Sequence, residues 1–211
     1  MNYICNCKKI NLSDKSYTYW EDREVTTDEL EIINFLDNEK DIKFKSALHI
    51  GIGNSYFAKK FATRFNITGI TISQNEVKKA LSMNLINYQA YLLDKYSVQF
   101  KQFLDKNRFD LIVDTNLKSY SCCQETFKYM INNILESIRP NGMLITSVNG
   151  MKWFKDLKPK LTFSLKKLIH FKLKEINGNE FNILTKNELK SLCKTHNLIL
   201  FINDKICCLK K

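Results

Sequence analysis

Between residues 46 and 148 the chain alternates short, continuous apolar runs with longer stretches of helical spacing, and this rhythm constrains the fold more than any other feature. Continuous apolar runs suit strands buried on both faces, the condition of a parallel sheet covered by helices. Strands are expected over 46–50, 67–72, 88–93, 109–114 and 143–148. Helical spacing fills 57–65, 74–85, 97–104 and 124–138, the last stopped by Arg139-Pro140-Asn141-Gly142. Upstream, Thr26-Thr27-Asp28-Glu29 reads as an N-cap with an acidic first turn, opening a helix to Asn38. Beyond Gly150 the rhythm breaks, with clustered Lys and a turn signal at Asn177-Gly178-Asn179. It resumes at Thr185-Lys186-Asn187-Glu188, a capping-box pattern opening a helix to His196. Runs over 198–203 and 205–209, joined tightly at Asp204, predict an antiparallel pair.

The chain has 211 residues, 44% hydrophobic and 26% charged, enough for one buried core with an appendage. No apolar run approaches the about 18 residues that span a bilayer, and the start lacks the apolar stretch of an export signal. Seven cysteines without paired zinc-ligand spacing read as reduced thiols, so a cytoplasmic protein with no metal site is expected. The net charge of +11 is unevenly placed: residues 151–211 carry 14 bases against 5 acids, hence +9 of the total. Such a surplus attracts anions, but only 4 of the 33 bases are Arg, which leaves few planar forks for phosphate or guanine. Nucleic acid is therefore a less favoured partner, and a solvated Lys face stands beside it.

Glycine is scarce, six in the chain, yet Gly51, Gly53 and Gly69 fall within one strand–helix–strand unit. At the first strand-to-helix turn of a doubly wound sheet, residues without Cβ let the backbone approach a ligand. Such a turn takes nucleotide phosphates or the amino-acid part of S-adenosylmethionine. The dinucleotide reading fails on two positions. Tyr56 stands where a third small residue is required, and Thr71 where an acid should take the ribose. No Gly-Lys-Ser/Thr follows, so a P-loop is excluded as well.

Four motifs in order resemble the class I S-adenosylmethionine-dependent methyltransferases. They are His49-Ile50-Gly51-Ile52-Gly53-Asn54-Ser55, Gly69-Ile70-Thr71-Ile72-Ser73, Phe109-Asp110-Leu111-Ile112-Val113-Asp114, and the stretch from Leu135 through Arg139-Pro140-Asn141-Gly142 to Ile145. The resemblance covers about residues 45–148 and the final helix and two strands. It implies a Rossmann-like α/β fold with a doubly wound, mostly parallel seven-stranded sheet and an antiparallel last strand. It implies one domain: an N-terminal cap and helix over 1–40, a cofactor-binding core over 41–150, a basic lid or insertion over 151–184, and a final helix with two strands over 185–211. Two places depart from the family pattern. His49 and Ser55 stand where an acid and a third Gly are usual, and Thr71 replaces the ribose acid. Thr71-Ile72-Ser73 is similar to the second-strand motif of the cyclopropane-fatty-acid-synthase branch. Glu76, in the first turn of the next helix, is placed to restore the carboxylate.

The expected cofactor contacts are thus His49, Gly51, Gly53, Asn54, Ser55, Thr71, Ser73, Glu76, Asp94 near the adenine, and Asp114. Asp114 and Asn116, ending the fourth strand, are the candidate catalytic residues, able to orient or deprotonate an acceptor. The Asn/Asp-Pro-Pro-aromatic signature of exocyclic-amine methylation is absent, since Leu117-Lys118 follows Asn116. Tyr17, Tyr19 and Trp20 are placed as a cap over the cofactor or as ordinary packing. Cys122 and Cys123 read as core or pocket lining. Cys207 and Cys208, adjacent in a strand, should face opposite sides of the sheet. Eight Lys between 152 and 174 suit a lid for an anionic acceptor or a solvated face. The expected activity is methyl transfer from S-adenosylmethionine to a small or medium-sized acceptor, with anionic character as one option. RNA methylation and a non-catalytic binding protein of the same fold are the alternatives.

Overall fold

The computed structural model describes residues 23–39, 43–119, 121–148 and 184–211. In chain order the elements are α1 (Thr27–Asn38), β1 (Ser46–Ile50), α2 (Tyr56–Phe61), β2 (Asn66–Thr71), α3 (Gln74–Ser82), β3 (Tyr88–Leu92), α4 (Val98–Lys106), β4 (Phe109–Asp114), α5 (Gln124–Ser137), β5 (Ile138–Ser147), α6 (Lys186–His196), β6 (Ile199–Ile202) and β7 (Ile206–Lys210). The strands form one sheet in the order β3-β2-β1-β4-β5-β7-β6. The first five run parallel, while β7 is antiparallel to both β5 and β6. The doubly wound architecture expected from the alternation is therefore present. The Lys-rich stretch 151–174 and the aromatics Tyr17, Tyr19 and Trp20 lie outside the described residues.

The alternation of side chains along each strand divides the core between two faces. Leu48, Ile50, Ile112 and Leu144 join Phe100, Phe127, Met130 and Leu189 on one side of the sheet. Ala47, Leu111, Val113 and Ile145 join Ile32, Ile33, Phe57 and Phe61 on the other. Cys207 belongs to the first cluster and Cys208 to the second, the opposite orientation that adjacent strand residues require. Each buried Leu, Ile or Phe side chain contributes about 1.5–3 kcal/mol relative to exposure. Helix starts are fixed by side-chain caps: Thr26, Ser73 and Ser97 accept amide hydrogens three residues on. Thr185 and Glu188 complete the capping box at α6.

The largest departures of element ends from expectation are two, beyond the helix expected over 74–85 that ends at Ser82. The helix predicted over 57–65 stops at Phe61, although the amide of Phe65 still reaches the Phe61 carbonyl at 3.2 Å, which keeps the apolar face continuous through the turn. The preceding helix does end, at Ser137, just before the predicted stop at 139–142, but that stretch belongs to a ten-residue β5 expected to begin only at Met143. Ile138 pairs with Phe109, and the register then shifts before Leu111 pairs with Met143. Asn141 absorbs the irregularity at φ 64°. Gly142 is required there, since a Cβ would sit 2.7 Å from the Asp110 carbonyl oxygen.

Candidate functional site

In the sheet order, β1 lies between β2 and β4, so the chain winds outward in opposite directions from the β1–β4 pair. Ligands of open α/β sheets bind in the crevice at the strands' carboxyl ends at such a switch point. Ile50, the last residue of β1, is directly opposite Asp114, the last of β4. The turn from Gly51 to Ser55 begins beside them.

Three residues of this turn adopt left-handed backbone: Gly51 at φ 75°, Gly53 at φ 50° and Ser55 at φ 62°. Gly51 is exposed and a Cβ there would meet nothing within 4 Å, so the turn presents bare backbone to open space. The backbone is held from below, with the Gly51 N–H donating to the Ile70 carbonyl at 2.8 Å and that of Ser55 to the Ile52 carbonyl at 2.7 Å. Gly69 serves packing: an added Cβ would lie 2.7 Å from Ile52 Cγ2 and 2.8 Å from the Tyr88 hydroxyl. The Ser55 and Tyr88 hydroxyls are 2.8 Å apart and buried, and burial pushes the Tyr88 phenol up to about 12. The Asn54 amide donates to the Arg23 carbonyl, while its buried Oδ1 has no partner among the described residues.

At the end of β2 the structure joins Thr71, Ser73 and Glu76. The Thr71 hydroxyl donates to Glu76 Oε2 at 2.5 Å, and the Ser73 N–H donates to Thr71 Oγ1 at 3.2 Å. Ser73 Oγ in turn accepts the Glu76 N–H at 3.3 Å, as N-cap of α3. A carboxylate from the following helix thus lies at the end of β2, held by the strand's Thr71.

His49 is placed differently from a crevice residue. Its ring packs against Phe57, centroids 4.9 Å apart, and Nε2 lies 3.9 Å from Glu29 Oε1. That distance is too long for a hydrogen bond. Burial lowers the His49 pKa to about 3 and raises that of Glu29 to about 7, the latter opposed by the Phe57 N–H donating to Glu29 Oε1 at 3.1 Å. The two are therefore no ion pair at neutral pH, and His49 Nδ1 has no partner among the described residues. Asp94, read as an adenine contact, turns one oxygen back to the Tyr96 N–H at 2.9 Å, and burial raises its pKa.

Asp114 is not a bare carboxylate. Lys95 Nζ donates to its Oδ2 at 2.7 Å, and the Asn116 N–H donates to Oδ1 at 3.0 Å. Both oxygens are occupied by donors, which suits positioning rather than proton abstraction. The Asn116 side chain is on an exposed residue, while its carbonyl accepts from Lys95 at 2.9 Å. Beyond it, Lys118, 2% exposed, reaches Glu188 Oε1 at 2.9 Å and lies 4.9 Å from the Phe127 ring centre. Cys122 and Cys123 are half-buried at the start of α5, where Cys123 is the N-cap. Among the described residues no three His, Cys, Asp or Glu side chains gather as metal ligands, and no helix is long and apolar enough to cross a membrane.

Lys95 and Glu29 are the functional candidates that the sequence reading passed over. Lys95 follows Asp94 in a strand-to-helix turn, where a Lys ordinarily extends into water. Glu29 stands three residues after its N-cap Thr26, the position from which a Glu normally reaches back to its own helix; here it caps α2 instead.

No protein-family description and no curated protein sequence matches the chain. Among solved structures, the chain is similar to the N-methyltransferase NodS from Bradyrhizobium japonicum WM9, with TM-score 0.58, 14% identity, and 89% of this chain and 97% of that one covered. It is similar to DhpI in a complex with SAM and HEP, with TM-score 0.56, 10% identity, and coverage of 93% and 91%. It is also similar to the cyclase SpnF, with TM-score 0.54, 17% identity, and coverage of 87% and 63%. At these identities the likeness establishes the fold, that of the class I S-adenosylmethionine-dependent methyltransferases.

Proposed function

We propose that the chain is an S-adenosylmethionine-dependent methyltransferase acting on a small or medium-sized acceptor. The observation that carries this reading is the pairing, at one switch point, of an open Gly51 backbone with the buried Thr71–Glu76 couple at the end of the neighbouring strand. The residues fit the group. Gly51, Gly53 and Ser55 give a turn that a ligand's amino-acid part can approach, Glu76 gives a carboxylate able to accept from both ribose hydroxyls, and Thr71 holds that carboxylate in place. Ser73 and Asn54 complete this wall, Asp94 lies at the end proposed for the adenine, and His49, just before the turn, packs against Phe57. The similarity to DhpI, whose structure contains SAM, points the same way.

When bound, the cofactor supplies a methyl group already activated on a sulfonium. The protein's part is then to align the acceptor and exclude water. Asp114 and Asn116 shape the floor of the crevice next to Gly51, with Asp114 fixed by Lys95. The stretch 41–150 is read as the cofactor-binding core. The eight Lys of 152–174 support an anionic acceptor on charge alone. The cysteine usage supports a reducing, cytoplasmic setting.

Calorimetric titration with S-adenosylhomocysteine tests the placement. Gly51→Val puts a branched side chain on left-handed backbone and into the open space over the turn, and its binding should be lost. Glu76→Ala should weaken binding by about 1.5–3 kcal/mol, the range for a hydrogen bond to a charged group. A Gly51→Val protein that titrates like the parent would sink the assignment.

A further inference from the structure

Lys95 is buried, 9% exposed, and all three of its ammonium hydrogens have acceptors: Asp114 Oδ2 at 2.7 Å, the Asn116 carbonyl at 2.9 Å and the Leu117 carbonyl at 3.1 Å. The ammonium also lies 5.5 Å from the centre of the Tyr96 ring, and the Tyr96 hydroxyl donates to the Ser119 carbonyl at 2.7 Å. Two adjacent side chains from the β3–α4 turn, Lys95 and Tyr96, therefore hold the turn after β4. Asp114, the counter-ion of Lys95, is 2% exposed and stands opposite Ile50, the residue before Gly51. A charge in that position acts on anything held at the switch point through a medium that screens poorly. As built, the couple carries no net charge there.

That neutrality has a chemical meaning for a site that binds a cation and releases a neutral product. A methyl-donor sulfonium carries a positive charge, and the thioether left after transfer does not. An uncompensated Asp114 would favour the sulfonium over the thioether, and an uncompensated Lys95 would do the reverse. We propose that Lys95 is a specificity-setting residue, which by neutralising Asp114 fixes the site's relative affinity for the sulfonium cofactor and its thioether product. The inference rests on the methyltransferase reading given above. It assigns Lys95 a role exerted through Asp114, not through contact with the reacting atoms.

The test is the ratio of dissociation constants for S-adenosylmethionine and S-adenosylhomocysteine, measured by calorimetry without any acceptor. Lys95→Gln keeps an amide donor toward Asp114 but removes the cation, and should shift the ratio about tenfold toward the sulfonium, the size expected of one partly screened charge. Asp114→Asn, which leaves Lys95 its two carbonyl acceptors, should shift it a similar distance toward the thioether. The double variant should return the ratio toward the parent's. A purely structural role would weaken both ligands together and leave the ratio still. Single variants that leave the ratio unchanged, or that move it in the same direction, overturn the proposal. Should Lys95→Gln fail to fold, Asp114→Asn decides alone, since its ratio must move toward the thioether. A parent protein that binds neither ligand overturns the methyltransferase reading instead.

Discussion

Two buried acid–base couples flank the Gly51 turn, and they have opposite electrostatic characters. On the face carrying α1 and α2, Glu29 and His49 approach to 3.9 Å without a hydrogen bond, and burial drives both toward their neutral forms. On the other face, Lys95 and Asp114 meet at 2.7 Å with every ammonium hydrogen and both carboxylate oxygens occupied. Depth does not separate them, since all four residues are less than one-tenth exposed. What separates them is the number of hydrogen-bond partners. A buried charge persists where its donors and acceptors are completed, and is given up where, among the described residues, a single backbone amide donates to it.

The comparison breaks most visibly on the ionised side. Lys95→Met strands a buried carboxylate, and chemical denaturation should show a loss of about 3–5 kcal/mol, the usual consequence of removing one partner of a buried pair. A loss below about 1 kcal/mol, the range of an exposed pair, would show that Asp114 is hydrated after all. On the other side the sign reverses. The Glu29 carboxyl, with a folded pKa of about 7 against 4.5, binds its proton more tightly in the folded state. Its contribution to stability is therefore lost as pH rises from 4.5 through 7. Glu29→Gln should be more stable than the parent above pH 7, by on the order of 2–3 kcal/mol, and should lose that advantage below pH 4.5.

His49 gives the smallest effect at neutral pH. With a folded pKa of about 3 against 6.5, it costs stability as pH falls from 6.5 toward 3, because the unfolded chain takes up the proton first. His49→Leu should change stability at pH 7 by under about 1 kcal/mol, since a polar group without full partners is replaced by an apolar one. Its acid-induced unfolding should move to lower pH. In the parent, the Glu29 and His49 slopes oppose one another between pH 4.5 and 6.5. Each single variant should therefore show a steeper pH dependence there than the parent does.

The sheet was legible because its strands are short apolar runs whose burial needs no knowledge of partners: Leu48, Ile112 and Leu144 announce themselves. Thr71 and Glu76 were legible for a related reason. They are five residues apart, one ending a strand and one in the first turn of the next helix, so local geometry alone brings them together. The chemistry of Asp114 was not, because it depends on Lys95, 19 residues away on another strand's exit. Glu29 was read as serving its own helix, and only packing of α1 against β1 and α2 shows its acceptor to be the Phe57 amide. The predicted break at Pro140-Asn141-Gly142 was a true local irregularity, but its neighbour Ile138 still found Phe109 to pair with. Short-range signals carried the fold and the Thr71–Glu76 contact; the polar partners of Asp114 and Glu29 are long-range.

The placement of β7 between β5 and β6 has a consequence for how the chain assembles during synthesis. The β6 segment leaves the ribosome before β7, yet β7 is its sheet partner, and β7 also pairs the outer side of β5. The five parallel strands can therefore gather first, while the β6 segment waits with Ile199 facing water, as it still does at 71% exposure in the finished edge, where Phe201 stacks on Phe35. The two segments are joined through Asn203, whose Oδ1 accepts the amide hydrogens of Lys205 and Ile206 and so favours a local hairpin. Local closure is fast compared with long-range pairing. The hairpin is thus the closing piece of the described sheet, added as a unit against the outer edge of β5.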